Sequence, residues 1–142
     1  LLIDAYNHMK VGNDTWHEAI SEYKARKVAI EWQKRAGKNH FYIVKYHRCK
    51  SLGDIGLTND DLAGLAMGKS VSFENVEYKF AKSGDGLFHK GEAGFGKKFD
   101  YWLFDGGEDQ FLRIEQLPGS EPSVSIARPA SDDQFEVMKV RG

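Results

Sequence analysis

The stretch FDYWLFDGGEDQFLRIEQL, residues 99–117, constrains this chain more than any other. Its first half carries large side chains on both faces of a strand: Phe99, Tyr101 and Leu103 point one way, Trp102 and Phe104 the other. The turn residues Asp105-Gly106-Gly107-Glu108 separate it from a second apolar run, so the whole reads as a β-hairpin. A strand that is apolar on both faces must be covered on both. One face therefore belongs to a core. The face with Trp102 and Phe104 must lie against a helix, a partner or a ligand.

From Lys69 onward the hydrophobic period is two. In VSFENVEYKF, Val71 and Phe73 share a face, and Val76, Tyr78 and Phe80 follow in phase after a Glu74-Asn75 turn or bulge. SVSIAR and QFEVMKV read as two more strands, joined by a loop containing Pro and Asp. HFYIVKYH, residues 40–47, is rich in β-branched and aromatic residues and reads as another. TNDDLAGLAMG reads as a short helix opened by Thr58 or Asn59 and closed by Gly68. Many short antiparallel strands predict a compact barrel or strongly bent sheet.

Residues 13–38, NDTWHEAISEYKARKVAIEWQKRAGK, read differently. Asn13, Asp14 or Thr15 can cap a helix, Gly37 can end it, and Lys34, Arg35 and Lys38 suit the negative end of its dipole. On a helical projection Trp16, Ile20 and Tyr23 fall on one side, with Val28 and Trp32 nearly opposite. Two stripes imply two working faces, or a bent helix around one core. The expected fold is thus α+β: a long N-terminal helix packed on or beside an antiparallel β-barrel or bent sheet. Residues 1–50 would hold the helix and one strand, residues 51–142 the β-domain, together forming one unit. There is no evident internal repeat.

The net charge of −1 hides an asymmetry: residues 1–50 hold 10 basic and 5 acidic side chains, the remainder 10 and 16. A basic segment can meet nucleic acid, or an acidic sheet of its own chain. No apolar run reaches the length of a transmembrane helix. A single cysteine, Cys49, excludes an intrachain disulfide and inclines the reading towards the cytoplasm. The opening LLIDAYNHMK has no initiator methionine, as in a trimmed or processed chain.

GEAGFGKK, residues 91–98, imitates a phosphate-binding loop. Such a loop needs a Ser or Thr for magnesium, where Lys98 stands, and a helix after it, where FDYWLFD predicts a strand. It is expected to bind no nucleotide. His40, His47, Cys49 and His89 lack the paired spacing of a zinc site, and Cys49 with His47 makes a poor nucleophile pair. No metal or cofactor is expected from these residues.

LLIDAYNHM resembles the first strand of small metal-dependent ribonucleases, an apolar strand followed by Asp-x-x-Asn. Asp4 and Asn7 are the matching positions, and the resemblance implies that Asp4 binds magnesium or manganese. It covers about the first 45 residues, after which the helices and parallel strands of that family do not continue. The second half resembles a widespread bacterial all-β family with no assigned activity. Val71, Phe73 and Tyr78, then Tyr101, Leu103, Leu112, Ile114 and Glu115, are the matching positions. That resemblance implies a binding or adaptor module without catalytic residues. The expected function is therefore a non-catalytic protein-interaction module. Its expected interaction faces are Trp16, Ile20, Tyr23, Val28, Trp32, Trp102 and Phe104, meeting a protein partner or a second copy through the long helix. The alternatives are a metal-dependent nuclease using Asp4, and nucleic-acid binding through the basic helix.

Overall fold

The stretch expected as one long helix is two strands. The computed structural model describes residues 5–12, 14–23, 26–35, 37–45, 51–90 and 96–129. Among them the chain runs β1 (Ala5–Val11), β2 (Asp14–Tyr23), β3 (Arg26–Arg35), β4 (Lys38–Lys45), a 3-10 turn (Leu52–Ile55), α1 (Asn59–Ala63), β5 (Ser70–Phe73), β6 (Val76–Lys90), β7 (Lys97–Gly107), β8 (Gln110–Gln116) and β9 (Ser123–Pro129). The sheet order is β1-β2-β3-β4-β9-β8-β7-β6-β5, and β1 also pairs with β6. Eight antiparallel strands therefore close a barrel, with β5 added outside on β6. The α+β expectation is overturned, and with it any partner contact through a long helix. The strand expected at QFEVMKV lies outside the described residues.

The barrel is two four-stranded meanders, β1–β4 and β6–β9, laid edge to edge. Two seams join them: β4 with β9 over three residue pairs and β1 with β6 over four. Within the meanders, hairpins hold seven or more paired positions in β1–β2, β2–β3, β3–β4, β6–β7 and β7–β8. Gly12 (φ +60) and Gly37 (φ +79) supply the left-handed residues that let β1–β2 and β3–β4 turn.

Each strand has a lumen face and an outer face. On β6–β9 the outer face is apolar and is covered by the chain's own segment 51–73. Leu52, Ile55, Leu57, Leu62 and Val71 from that segment bury against Phe80, Phe104, Leu112, Ile114, Val124 and Ile126. The cover holds its shape through a capping box at Thr58, whose backbone N–H and hydroxyl both reach Asp61 (2.7 and 3.0 Å). Phe99, Tyr101 and Leu103 face the lumen instead, packed with Met9, Val11 and Trp16. The double-faced strand of the opening hairpin is thereby explained: Phe104, with Trp102 partly buried beside it, lies under the cover.

Lumen packing depends on missing side chains. A Cβ on Gly86 would stand 2.5 Å from the Lys10 carbonyl oxygen and 2.9 Å from the Phe99 ring. Backbone cannot yield cheaply there, because Lys10 belongs to the β1–β6 seam. Gly86→Ala should cost about 1–3 kcal/mol by overpacking, while Gly53→Ala, whose Cβ finds nothing nearer than 3.7 Å, should change stability by less than about 0.5 kcal/mol. Urea titration of both variants checks this, and equal midpoints would refute the close approach.

Candidate functional site

Charged side chains inside a barrel need partners, because water is scarce there. The lumen face of β2 carries Glu18, that of β3 Glu31, and that of β8 Arg113 and Glu115. Glu31 and Arg113 are essentially inaccessible to solvent. Arg113 Nη1 donates to Glu31 Oε2 at 3.0 Å, Nη2 donates to Glu31 Oε1, and Nε donates to Glu115 Oε1 at 2.6 Å. The guanidinium also lies over Trp16, 4.5 Å from the ring centroid. Burial alone would lower its pKa. The charges of Glu31 and then Glu115 outweigh that and raise it, so Arg113 stays charged. This fork ties the two meanders together, since β3 belongs to one and β8 to the other.

Glu18 is the surplus acid. It accepts from Asn7 Nδ2 at 3.1 Å, and its register partner across β2–β3 is Glu31. Burial pushes its pKa up to about 7; the Asn7 bond opposes this, and the charges of Glu115 and Glu31 add to it. Asn7 Oδ1 has no hydrogen-bond partner among the described residues. A neutral Glu18 carries an O–H, the kind of donor that this atom lacks.

Above this network the barrel opens at the end formed by the β7–β8 turn and the starts of β2 and β4. A cavity of about 210 Å³ sits in that mouth. Trp16, Tyr42, Leu103 and Phe111 give it an apolar, mostly aromatic floor, and its rim carries Asp14, Asp105, Asp109 and Lys82. Two backbone irregularities put these groups there. A bulge between Phe80 and Lys82 reverses the phase of β6, so that Phe80 faces the cover and Lys82 the mouth. Glu108 and Asp109 both have positive φ (53 and 58), a tight turn that swings Asp109 over the lumen. Tyr42 OH donates to Asp109 Oδ1 at 2.9 Å, and His40 Nδ1 stands 3.9 Å from Asp109 Oδ2. The hairpin turn is Glu108-Asp109, so of the four residues expected to form it only Glu108 does, and Asp105, Gly106 and Gly107 belong to β7.

A second, smaller cavity of about 120 Å³ marks the opposite end, lined by Phe88, Phe99 and Glu115 together with the β8–β9 connection.

The outer face of the first meander, with His89 of β6 across the seam, carries a row of rings. His8 and His89 stack at 4.6 Å with planes 3° apart, and His17 and Trp32 at 5.1 Å and 8°. Tyr6 bridges the two pairs at about 6 Å, its hydroxyl 2.8 Å from His17 Nδ1, and Phe41 extends the row beyond Trp32. The spacing is that of neighbouring strands, so the rings stand side by side with faces turned to each other. Burial, and secondarily the His8 charge, lower the pKa of His17.

The expected interaction residues thus part company. Trp16 is buried in the lumen, Ile20 packs beside Ala29 and Tyr42, and Trp32 belongs to the outer row. Trp102 and Phe104 lie under the cover. The side chains of Tyr23 and Val28, and the whole of Asp4, His47 and Cys49, lie outside what the structure describes. Asn7 is described, and pairs with Glu18. Among the described residues no three His, Cys, Asp or Glu side chains gather as a metal site, and no helix is long and apolar enough to cross a membrane. Lys97 and Lys98 of the GEAGFGKK stretch open β7, a strand, as FDYWLFD predicts. Arg113, Glu31, Glu18 and Asp109 carry the site, and the sequence reading singled out none of them for it. The one available signal was Arg113 and Glu115 alternating with Leu112 and Ile114 in the hairpin, a charged face where a core was expected. No protein-family model, curated protein or solved structure matches this chain, so its function is argued from this geometry.

Proposed function

We propose that the chain is a non-catalytic binding module that receives its ligand in the mouth of the barrel. The observation that carries this reading is the aromatic-floored cavity standing on a rigid charged plug. Arg113 and its two glutamates fill the lumen below, so the cavity has a bottom and a fixed shape. Its described lining offers carboxylates, amides, one lysine and one tyrosine already donating to Asp109, with no serine, cysteine or histidine among them. Its carboxylates and its lysine are exposed, which suits holding a charged or polar group. The volume, about 210 Å³, is below the roughly 300–1,000 Å³ typical of drug-sized ligands. It fits a small molecule or one protruding group, and it is too small for a nucleotide.

Ala81 gives the test. It is exposed, lines the cavity and sits on the bulge, so a large side chain there would plug the mouth without entering the core. A mixed set of neutral, anionic and cationic fragments titrated into isotopically labelled protein should shift amides of Asp14, Gln33 and Gln110. Ala81→Trp should weaken those responses by more than about tenfold while leaving the unfolding midpoint within a few degrees. Fragments that bind elsewhere, or that ignore the plug, would refute the mouth as the site.

A further inference from the structure

The cavity's chemistry narrows what it can hold, and this step rests on the mouth being the binding site. We infer that the ligand group is an organic cation, an alkylammonium or guanidinium head carried on a short apolar stem.

Three independent features point the same way. The first is the floor: Trp16, Tyr42 and Phe111 bring three aromatic rings to one small cavity, and ring faces attract cations once water is excluded. The barrel already uses this chemistry, with Arg113 seated over Trp16 at 4.5 Å and 5.6 Å from the Phe111 centroid. The second is the rim. Asp14, Asp105 and Asp109 face one lysine, Lys82, in the described lining, and they come from β2, the end of β7 and the β7–β8 turn. Asp14 and Asp105 are three strands apart around the barrel, so their charges flank the opening instead of crowding one edge. The third is the field from below. Beside the single Arg113 the lumen holds Glu31 and Glu18, both buried, and Glu115, 29% exposed towards the opposite end; Glu18 carries its proton below about pH 7, so the excess of acid is one charge there and two above it. Such a shape focuses negative potential through its opening. An anionic ligand would meet all of these charges at close range, and a neutral one would leave the rim carboxylates half desolvated with nothing gained.

Leu103 adds an apolar wall beside the rings, against which a short stem can lie. Small quaternary amines and the side chain of trimethyllysine in a protein present the same trimethylammonium head.

The test uses the full chain. Choline, its neutral isostere 3,3-dimethylbutan-1-ol, and a capped trimethyllysine amide are titrated against backbone amides of the mouth. Choline or the trimethyllysine amide should saturate shifts at Asp14, Gln33 and Gln110, the isostere should bind at least about tenfold more weakly, and Asp14→Asn with Asp105→Asn should lower cation affinity about tenfold. Both replaced residues are exposed, and asparagine keeps an acceptor for the Gly107 N–H that Asp105 holds at 2.8 Å, so folding is preserved. Tighter binding of choline points to a free amine, tighter binding of the capped amide to a protein side chain, and either supports the inference. Equal binding of choline and the isostere overturns the charge assignment and leaves the mouth as a neutral site. Shifts that map only outside the mouth overturn the site itself.

Discussion

Arg113→Met should destabilise the protein by about 3–5 kcal/mol, the cost of leaving a buried carboxylate without its partner. For a chain of this length that is a fall of roughly 10–20 °C in Tm. Methionine fills much of the same space and keeps an apolar contact with Trp16, so little of the loss would come from a cavity. It comes from Glu31, which is fully buried and loses both of its guanidinium bonds. Glu115 suffers less, because its side chain is 29% exposed and can hydrate.

This asymmetry makes a double substitution informative. Arg113→Met with Glu31→Met removes the fork and its orphaned acid together, and should regain at least half of the loss measured for Arg113→Met alone. Glu31→Met alone leaves Arg113 with Glu115 only, and should fall between the two. Arg113→Lys keeps a charge but loses the planar fork, so it cannot reproduce both contacts with Glu31. Chemical denaturation of the four variants beside the parent measures the set. If Arg113→Met costs less than about 1 kcal/mol, the fork does not join the two meanders, and the rigid bottom of the mouth cavity is lost with it.

How far the sequence could be read follows from the same charges. The hairpin at residues 99–117 was legible because Phe99, Tyr101, Trp102 and Phe104 outweigh everything polar around them. Antiparallel β structure and the need to cover both faces of that strand came directly from it. The β5–β6 turn at Glu74-Asn75 was legible too: both residues have positive φ (49 and 67), which Asn tolerates better than most. What misled was β2 and β3. Their lumen faces read Trp16-Glu18-Ile20 and Ala29-Glu31-Gln33, and a glutamate in the middle of each erases the apolar alternation of a half-buried strand. Ala, Glu, Lys and Arg fill the remaining positions, all good helix formers, and the three- and four-residue spacings of Trp16, Ile20 and Tyr23 complete the imitation. The inward-facing Glu31 is matched by Arg113, 82 residues away in sequence, and Glu18 by Asn7 on the neighbouring strand. A pattern whose explanation lies across the barrel is invisible to a local window. The cavity was hidden for a related reason: Asp109 and Lys82 reach it through a left-handed turn and a bulge, neither of which has a strict sequence signature.

Glu18 makes the stability of the barrel depend on pH. In the unfolded chain its carboxyl titrates near 4.5, in the barrel at about 7. Below the first value both states hold the proton, and Glu18 leaves stability unchanged. Between the two, the unfolded chain releases its proton while the barrel keeps it, so each step up in pH favours unfolding. Above about 7 both are ionised and the penalty is constant. The displacement from 4.5 to about 7 corresponds to about 3 kcal/mol. Glu18→Gln removes the charge, keeps an acceptor for Asn7 Nδ2, and adds an N–H donor near the unpaired Asn7 Oδ1. The variant should match the parent near pH 4.5 and exceed it by up to about 3 kcal/mol at pH 8, with the gap opening across that interval. Taking the difference between two chains cancels the titrating groups that do not interact with Glu18. Parallel stability profiles for parent and variant would show that Glu18 titrates alike in the folded and unfolded chain, and would refute its desolvation inside the barrel.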